Sequence, residues 1–412
     1  MADGHGSASC FRSSAGSKFA VKVAEECLKE FAGAVLADEE TERRFYEEIF
    51  SGKRERQTIL RQLTDKILAR WYEEVMHDVA NAPLPAEIVG EQEKLHVYGT
   101  TLIAGLMLPS CLILLQQGDG RCDVIHEDGS IAQPIAWDER CQANITTSLC
   151  DADAAVSFRA SALDLREDRV TACFMYTDGV EDSYRDTYDD LGGSHCVMGG
   201  VHTFSRYLAG RVVSRGDEGL AEFLSEFSAK GSGDDISVAG IIDVEAVGKF
   251  TARFARDVRV YALEEELLTL EGEKLSKERK HKALADRLSE AEEHLQEAAP
   301  LWEEAVSVRM DENEIARRLA RISALAEVLE GSPEHGQVIA EKERLAGMLE
   351  VVRRRREGLG EAKAEWLKAS QEKIRAGHEF SEYDSGYREL DARIRDLREE
   401  ISDLRGGRDN DD

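Results

Sequence analysis

Positive charge is scarce in this chain. Its 412 residues carry 53 Lys and Arg against 82 Asp and Glu, a formal net charge of −29. Such an excess of carboxylate disfavours nucleic acid and anionic membrane as partners, and neither is expected. The run Arg353–Arg356 does not change this, because charge runs on helices are usually solvated faces paired with nearby Glu. Cysteine pairs of the C-x-x-C kind are absent, and none of the eight cysteines lies beyond residue 250. That excludes a zinc module and a small disulfide scaffold, and suits reduced thiols in a cytoplasmic protein. No basic segment followed by an apolar one opens the chain, so no secretory signal is expected. Long apolar runs are missing too. The most apolar stretch, TLIAGLMLPSCLILL (101–115), is interrupted by Pro109 and Ser110 and falls short of the roughly 20 residues a membrane span needs. It reads as two buried strands joined by a turn.

Composition changes near residue 250. Upstream, Gly, Cys and β-branched residues mix with helical patterns. Downstream come runs of Glu, Lys, Arg, Leu and Ala with only Pro300 and Pro333. A boundary therefore falls at about 245–255, giving a first domain over 1–248, a helical region over 249–405 and a disordered acidic tail over 406–412. Within the first domain, 15–80 reads as helices that stop at NAPLP (81–85). Strands follow in YGTTLIAGLML, SCLILLQQG, RCDVIHEDGSI, VTACFMYTDGV and DDISVAGIIDV, with loops and one helix near 217–229 in between. The helical region repeats apolar residues at alternating steps of four and three, as in Tyr383, Tyr387, Leu390, Ile394, Leu397, Ile401 and Leu404. That is a coiled-coil seam. Breaks are expected at Pro300 and at Gly331-Ser332-Pro333, the second reversing the helix into an antiparallel hairpin.

Four short motifs each set an aspartate beside glycine at a strand end: DGHG (3–6), QGDGR (117–121), YTDGV (176–180) and GSGDDIS (231–237). One Asp-Gly is a turn dipeptide and nothing more. Four can converge at one edge of a sheet sandwich, where clustered aspartates repel each other unless a cation sits among them. Carboxylates and carbonyls without cysteine or several histidines suit Mg2+ or Mn2+ rather than zinc. Two such ions can activate a shared water and clamp a phosphoryl group. The chemistry indicated is metal-assisted phosphate hydrolysis.

The ordered set DGHG, GTTL (99–102), GDGR (118–121), TDGVED (177–182) and GSGDDISV (231–238) resembles the PPM-type metal-dependent serine/threonine phosphatases, the phosphatase 2C family, over about 2–245. The resemblance implies an α+β fold, a four-layer α-β-β-α sandwich of antiparallel sheets, here followed by the coiled coil. It implies hydrolysis of phosphoserine and phosphothreonine on proteins by a hydroxide bridging two Mg2+ or Mn2+ ions, with a third, weaker ion in some members. Position by position, Asp3 matches the bridging ligand and the Gly4 carbonyl a ligand of the second metal. Asp178 and Asp234 match ligands of the first, and Asp119 a holder of the third. His5 matches the proposed general acid, a role imidazole suits near neutral pH. The family usually carries Asp-Asn where this chain has Asp234-Asp235. The implied partners are a phosphoprotein substrate and a cognate Ser/Thr kinase in signalling, and the coiled coil adds a targeting partner or self-association. A family strand or two precedes DGHG, bearing an arginine that grips phosphate and an acidic residue for the second metal. Only Met1 and Ala2 stand before Asp3 here, so the expectation is a late start with the first strand missing and a loosely held Asp3. The alternative function is a non-catalytic phosphatase-like scaffold acting through the coiled coil.

Overall fold

Helical spacing of apolar residues organises the first third of the chain. A computed structural model describes residues 1–141, 145–184 and 197–406. Helix α1 (Ser13–Val35) buries Ala20, Val23, Ala24, Cys27 and Leu28, one face of a 3.6-residue repeat. Helix α2 (Glu39–Ile49) starts where the Asp38 carboxylate accepts the Thr41 amide at 2.8 Å. Helix α3 (Lys53–Asn81) buries Leu60, Leu63, Ile67, Trp71 and Val75 and ends just ahead of Pro83. The short α4 (Glu91–His96) leads into the sheets.

Strands β1 (Leu102–Leu108), β2 (Cys111–Gln117), β3 (Arg121–His126) and β4 (Ile131–Ala132) follow. After a one-turn helix α5 (Ala154–Ser157) come β5 (Arg159–Asp164), β6 (Val170–Tyr176) and the one-turn α6 (Asp178–Glu181). Helices α7 (Val197–Arg215) and α8 (Leu220–Lys230), strand β7 (Val238–Ile242) and helix α9 (Val244–Gly248) complete the series. Among the described residues all strand pairings are antiparallel, in two sheets ordered β1-β2-β5 and β4-β3-β6-β7.

Alternation along each strand sets the layers. On β2, Cys111, Ile113 and Leu115 face α1 and α3, while Leu112 and Leu114 face the second sheet. On β6, Cys173 and Met175 meet them, while Ala172, Phe174 and Tyr176 face Val201, Phe204 and Leu208 of α7. The result is helices, sheet, sheet, helices, the expected four-layer α-β-β-α sandwich. Each fully buried aliphatic contributes about 1.5–3 kcal/mol. Seven cysteines are free and buried; Cys196 lies outside the described residues. Among the described residues no helix is long and apolar enough to cross a membrane.

Two elements differ from the sequence expectation. Helix α7 occupies 197–215, where loops were expected, because Gly199, Gly200 and Gly210 blur its apolar pattern. Strand β5 was not anticipated; only Ala162 in it is buried.

The chain forms two compact units, Met1–Ala262 and Leu263–Asp412. The division falls inside α10 (Thr251–Val328) rather than at the change in composition, because Phe254 packs into the core beneath α7. The expected break at Pro300 is absent. The helix runs through it, losing one backbone bond, and Trp302 stacks on Trp366 nearby with ring centroids 5.8 Å apart. In the second unit the chain reverses near Gly331 (φ 82), then continues as α11 (His335–Gly358) and α12 (Ala362–Gly406). Ion pairs Glu271–Arg398, His281–Asp384 and Arg287–Glu379 run in opposite order on α10 and α12, so the two are antiparallel. The run Arg353–Arg356 is paired throughout: Arg353 and Arg356 with Glu312, Arg354 with Glu350, Arg355 with Glu304. The expected acidic tail lies, past Gly406, outside the described residues.

Candidate active site

DGHG is held by the edge of β1. Residues 1–5 run antiparallel to 99–103. The Ile103 amide donates to the Met1 carbonyl at 2.9 Å, the Thr101 amide to the Asp3 carbonyl at 2.8 Å, and the His5 amide to the Gly99 carbonyl at 3.1 Å. Side chains of the GTTL motif add to the ladder. The Thr100 hydroxyl donates to the Asp3 carbonyl at 2.7 Å, and the Asp3 amide to Thr101 Oγ1 at 3.1 Å. Asp3 is thus fixed on both sides of its Cα, not loose as the sequence led one to expect. The His5 ring lies against Gly99: a Cβ there would meet its Cδ2 at 2.5 Å.

The GDGR turn joins β2 to β3. Gly118 has φ 101, a conformation that favours glycine. Its amide donates to Thr147 Oγ1 at 3.2 Å, and its carbonyl accepts from Gln116 at 3.2 Å and from the Arg159 guanidinium. The turn therefore presents Asp119 from a rigid frame.

TDGVED and GSGDDIS are bound to each other. The Thr177 amide donates to the Ser237 carbonyl at 3.2 Å and the Ser237 amide to Thr177 Oγ1 at 3.0 Å. The Ser232 hydroxyl reaches the Gly179 carbonyl at 2.9 Å. Asp178 opens α6 and accepts the Gly179 amide at 3.0 Å. Arg121, two residues after Asp119, pairs with Glu181, three after Asp178, and its guanidinium lies 3.7 Å over the Trp137 ring.

These segments meet in one cleft of about 610 Å³. Asp3, Gly4, His5, Asp119, Asp178 and Asp234 all line it. So do Asp151, Asp182 and Asp235, with His96, Thr146 and Ser148. Asp182 stands inside the quoted TDGVED motif. His96 and Asp151 carry no local mark, and only the fold brings them in. Among the described residues, no Lys or Arg lines it.

The electrostatics follow from that crowding. Burial first, then the charge of Asp178 and a hydrogen bond to it, then Asp234 and Asp119, raise Asp3 from 3.8 to about 7. Burial and Asp178 raise Asp119 to about 6. Burial lowers His5 below its ordinary 6.5, against the pull of Asp151 and Asp178. Among the described residues, no three His, Cys, Asp or Glu side chains are gathered tightly enough to hold a metal ion as they stand. The carboxylates share a cleft rather than a finished cage.

The family model for protein phosphatase 2C matches residues 1–227. The chain belongs to the protein phosphatase 2C family. Its phosphatase domain accounts for the two sheets and the cleft. Among solved structures, a bacterial serine phosphatase carrying a point mutation is 14% identical, over 46% of this chain and 69% of that one, with a TM-score of 0.27. The catalytic domain of the serine/threonine protein phosphatase PstP in complex with two manganese ions is 15% identical, over 43% and 82%, with a TM-score of 0.26. No curated protein matches the chain.

Proposed function

We propose that the phosphatase domain hydrolyses phosphoserine and phosphothreonine on proteins with the help of two Mg2+ or Mn2+ ions. One observation carries this reading: aspartates from four turns, spread from residue 3 to residue 234, line a single cleft beside His5. The donor set fits hard divalent cations. It is all oxygen, no Lys or Arg among the described residues lines the cleft, and burial together with the neighbouring carboxylates raises Asp3 to about 7, as expected where negative charge is crowded without a cation. Asp3, Asp119, Asp178 and Asp234 would hold the ions, with the Gly4 carbonyl. When bound, such ions supply Lewis acidity toward phosphoryl oxygens and activation of water at neutral pH.

The chain's own residues do the rest. His5 is placed to hold the proton that the departing alkoxide needs. Because burial lowers its pKa, that proton is present in a larger fraction on the acid side of neutrality. The Thr100 and Thr101 contacts keep Asp3 and His5 in register, and Arg159 with Thr147 holds the Asp119 turn. The helical unit is assigned a targeting or regulatory role in the cytoplasm, alongside the kinase that makes the substrate.

The test is manganese-dependent release of phosphate from a phosphothreonine peptide and from p-nitrophenyl phosphate. Asp178→Asn is expected to abolish it. No release, or release untouched by Asp178→Asn, overturns the reading. Calorimetry without manganese binding would leave the chain a scaffold.

A further inference from the structure

Beside the cleft lies a second hollow of about 530 Å³, lined by Phe11, Glu87, Ile88, Glu93, His96 and Val97 among others. His96 lines both spaces, so the hollow lies beside the part of the cleft that His96 walls. Its floor is apolar. Phe11 is 53% exposed, an uncovered aromatic in the hollow's lining. Its rim is acidic. Glu93 accepts the amides of Val89 and Gly90 at 3.1 and 3.0 Å, and Glu87 is exposed. Among the described residues, no Lys or Arg lines the hollow.

We propose that this hollow is a specificity subsite for an Arg or Lys side chain close in sequence to the phosphorylated residue, so that the substrates are basic phosphopeptides. This rests on the phosphatase reading of the neighbouring cleft. An apolar floor under a carboxylate rim suits one kind of side chain, a long aliphatic stem ending in a cation. The stem covers Phe11, Ile88 and Val97. The head meets Glu87 and Glu93, and the Phe11 face adds attraction for a guanidinium. The cleft itself agrees in sign, since aspartates line it and no Lys or Arg among the described residues does. A peptide rich in Asp or Glu is repelled by both spaces.

The test uses the full chain with manganese and phosphothreonine peptides carrying Arg, Ala or Glu at each flanking position in turn. Two readouts are taken: phosphate release, and binding of the same peptides by fluorescence anisotropy. Arg at one or two positions is expected to raise kcat/KM and affinity about three- to tenfold over Ala, with Glu below Ala. Glu87→Lys is expected to erase or invert the ranking, and Phe11→Ala to flatten it, while both leave p-nitrophenyl phosphate hydrolysis unchanged. Turnover without discrimination, or discrimination unmoved by both variants, overturns the subsite and leaves the phosphatase reading intact. Binding that prefers Arg and inverts in Glu87→Lys without any phosphate release overturns the phosphatase reading and leaves the subsite.

Discussion

Arg121 forks onto Glu181 and thereby ties the Asp119 turn to the Asp178 turn. Both partners are largely buried, at 11% and 15% side-chain exposure. Burial and the Asp178 charge are what raise Asp119 to about 6, so a repulsive pair of turns is held together by an attractive pair beside it. Removing one partner of a buried ion pair costs about 3 kcal/mol or more, because the other is left charged and dry. Glu181→Ala is therefore expected to lower the denaturation midpoint of the first unit. It is also expected to weaken manganese affinity in calorimetry, and Glu181→Asp to recover part of both. Unchanged manganese affinity in a folded Glu181→Ala protein counts against the tie.

Gly99 leaves room for the His5 ring. A Cβ at Gly99 would stand 2.5 Å from His5 Cδ2 and 3.2 Å from Cys10 Sγ, so Gly99→Ala must displace the imidazole. The expected result is a loss of at least about tenfold on a phosphothreonine peptide with normal circular dichroism. The loss on p-nitrophenyl phosphate, whose leaving group needs no proton, is smaller. His5→Gln is expected to show the same split. Equal losses on both substrates would remove His5 from proton delivery.

Asp3 makes metal-free stability fall with pH. Its folded pKa of about 7 lies above its ordinary 3.8, and Asp119 at about 6 shifts the same way. Between those values the unfolded chain has already released protons that the folded chain still holds, so stability declines as pH rises from about 4 to about 7. After discounting for partial solvation the Asp3 share is on the order of 1–2 kcal/mol. Asp138 and Asp164, held low by Arg140 and Arg166 after allowing for burial, titrate below this window. Thermal melts in chelator should slope downward there and flatten in Asp3→Asn. Added manganese should raise the midpoint most at the alkaline end. A melt in chelator with no slope, or the same slope in Asp3→Asn, refutes the assignment.

Pro300 costs the helix that carries it. It sits inside α10, where a proline is about 3 kcal/mol less favourable than alanine in a helix interior. Pro300→Ala is expected to raise the melting temperature of the helical unit, followed at 222 nm, without changing phosphate release. A lower midpoint would mean that Pro300 stabilises the helix where it stands.

Much of this was legible because the chemistry is local. Val170–Tyr176 is an apolar run that leads into Thr-Asp-Gly, so both the strand and the aspartate after it could be read. Arg159–Asp164 could not. A strand with Ala162 as its only buried residue owes its place to pairing with β2, a partner that no short window contains. The same holds in the site. Asp119, Asp178 and Asp234 each announce themselves by a neighbouring glycine, whereas His96 and Asp151 reach the cleft through tertiary packing alone. Pro300 misled for the converse reason: its local rule is sound, but a helix packed along its length overrides it.

The spread of the aspartates along the sequence also sets the order of events in time. Asp3 enters the cleft by lying against β1, and Asp234 only when the turn before β7 has docked on Thr177. Contacts between such distant segments close a large loop and form slowly. A refolding chain that lacks either dock has an incomplete site, so recovered activity should lag behind recovered helix signal and report the last contact made.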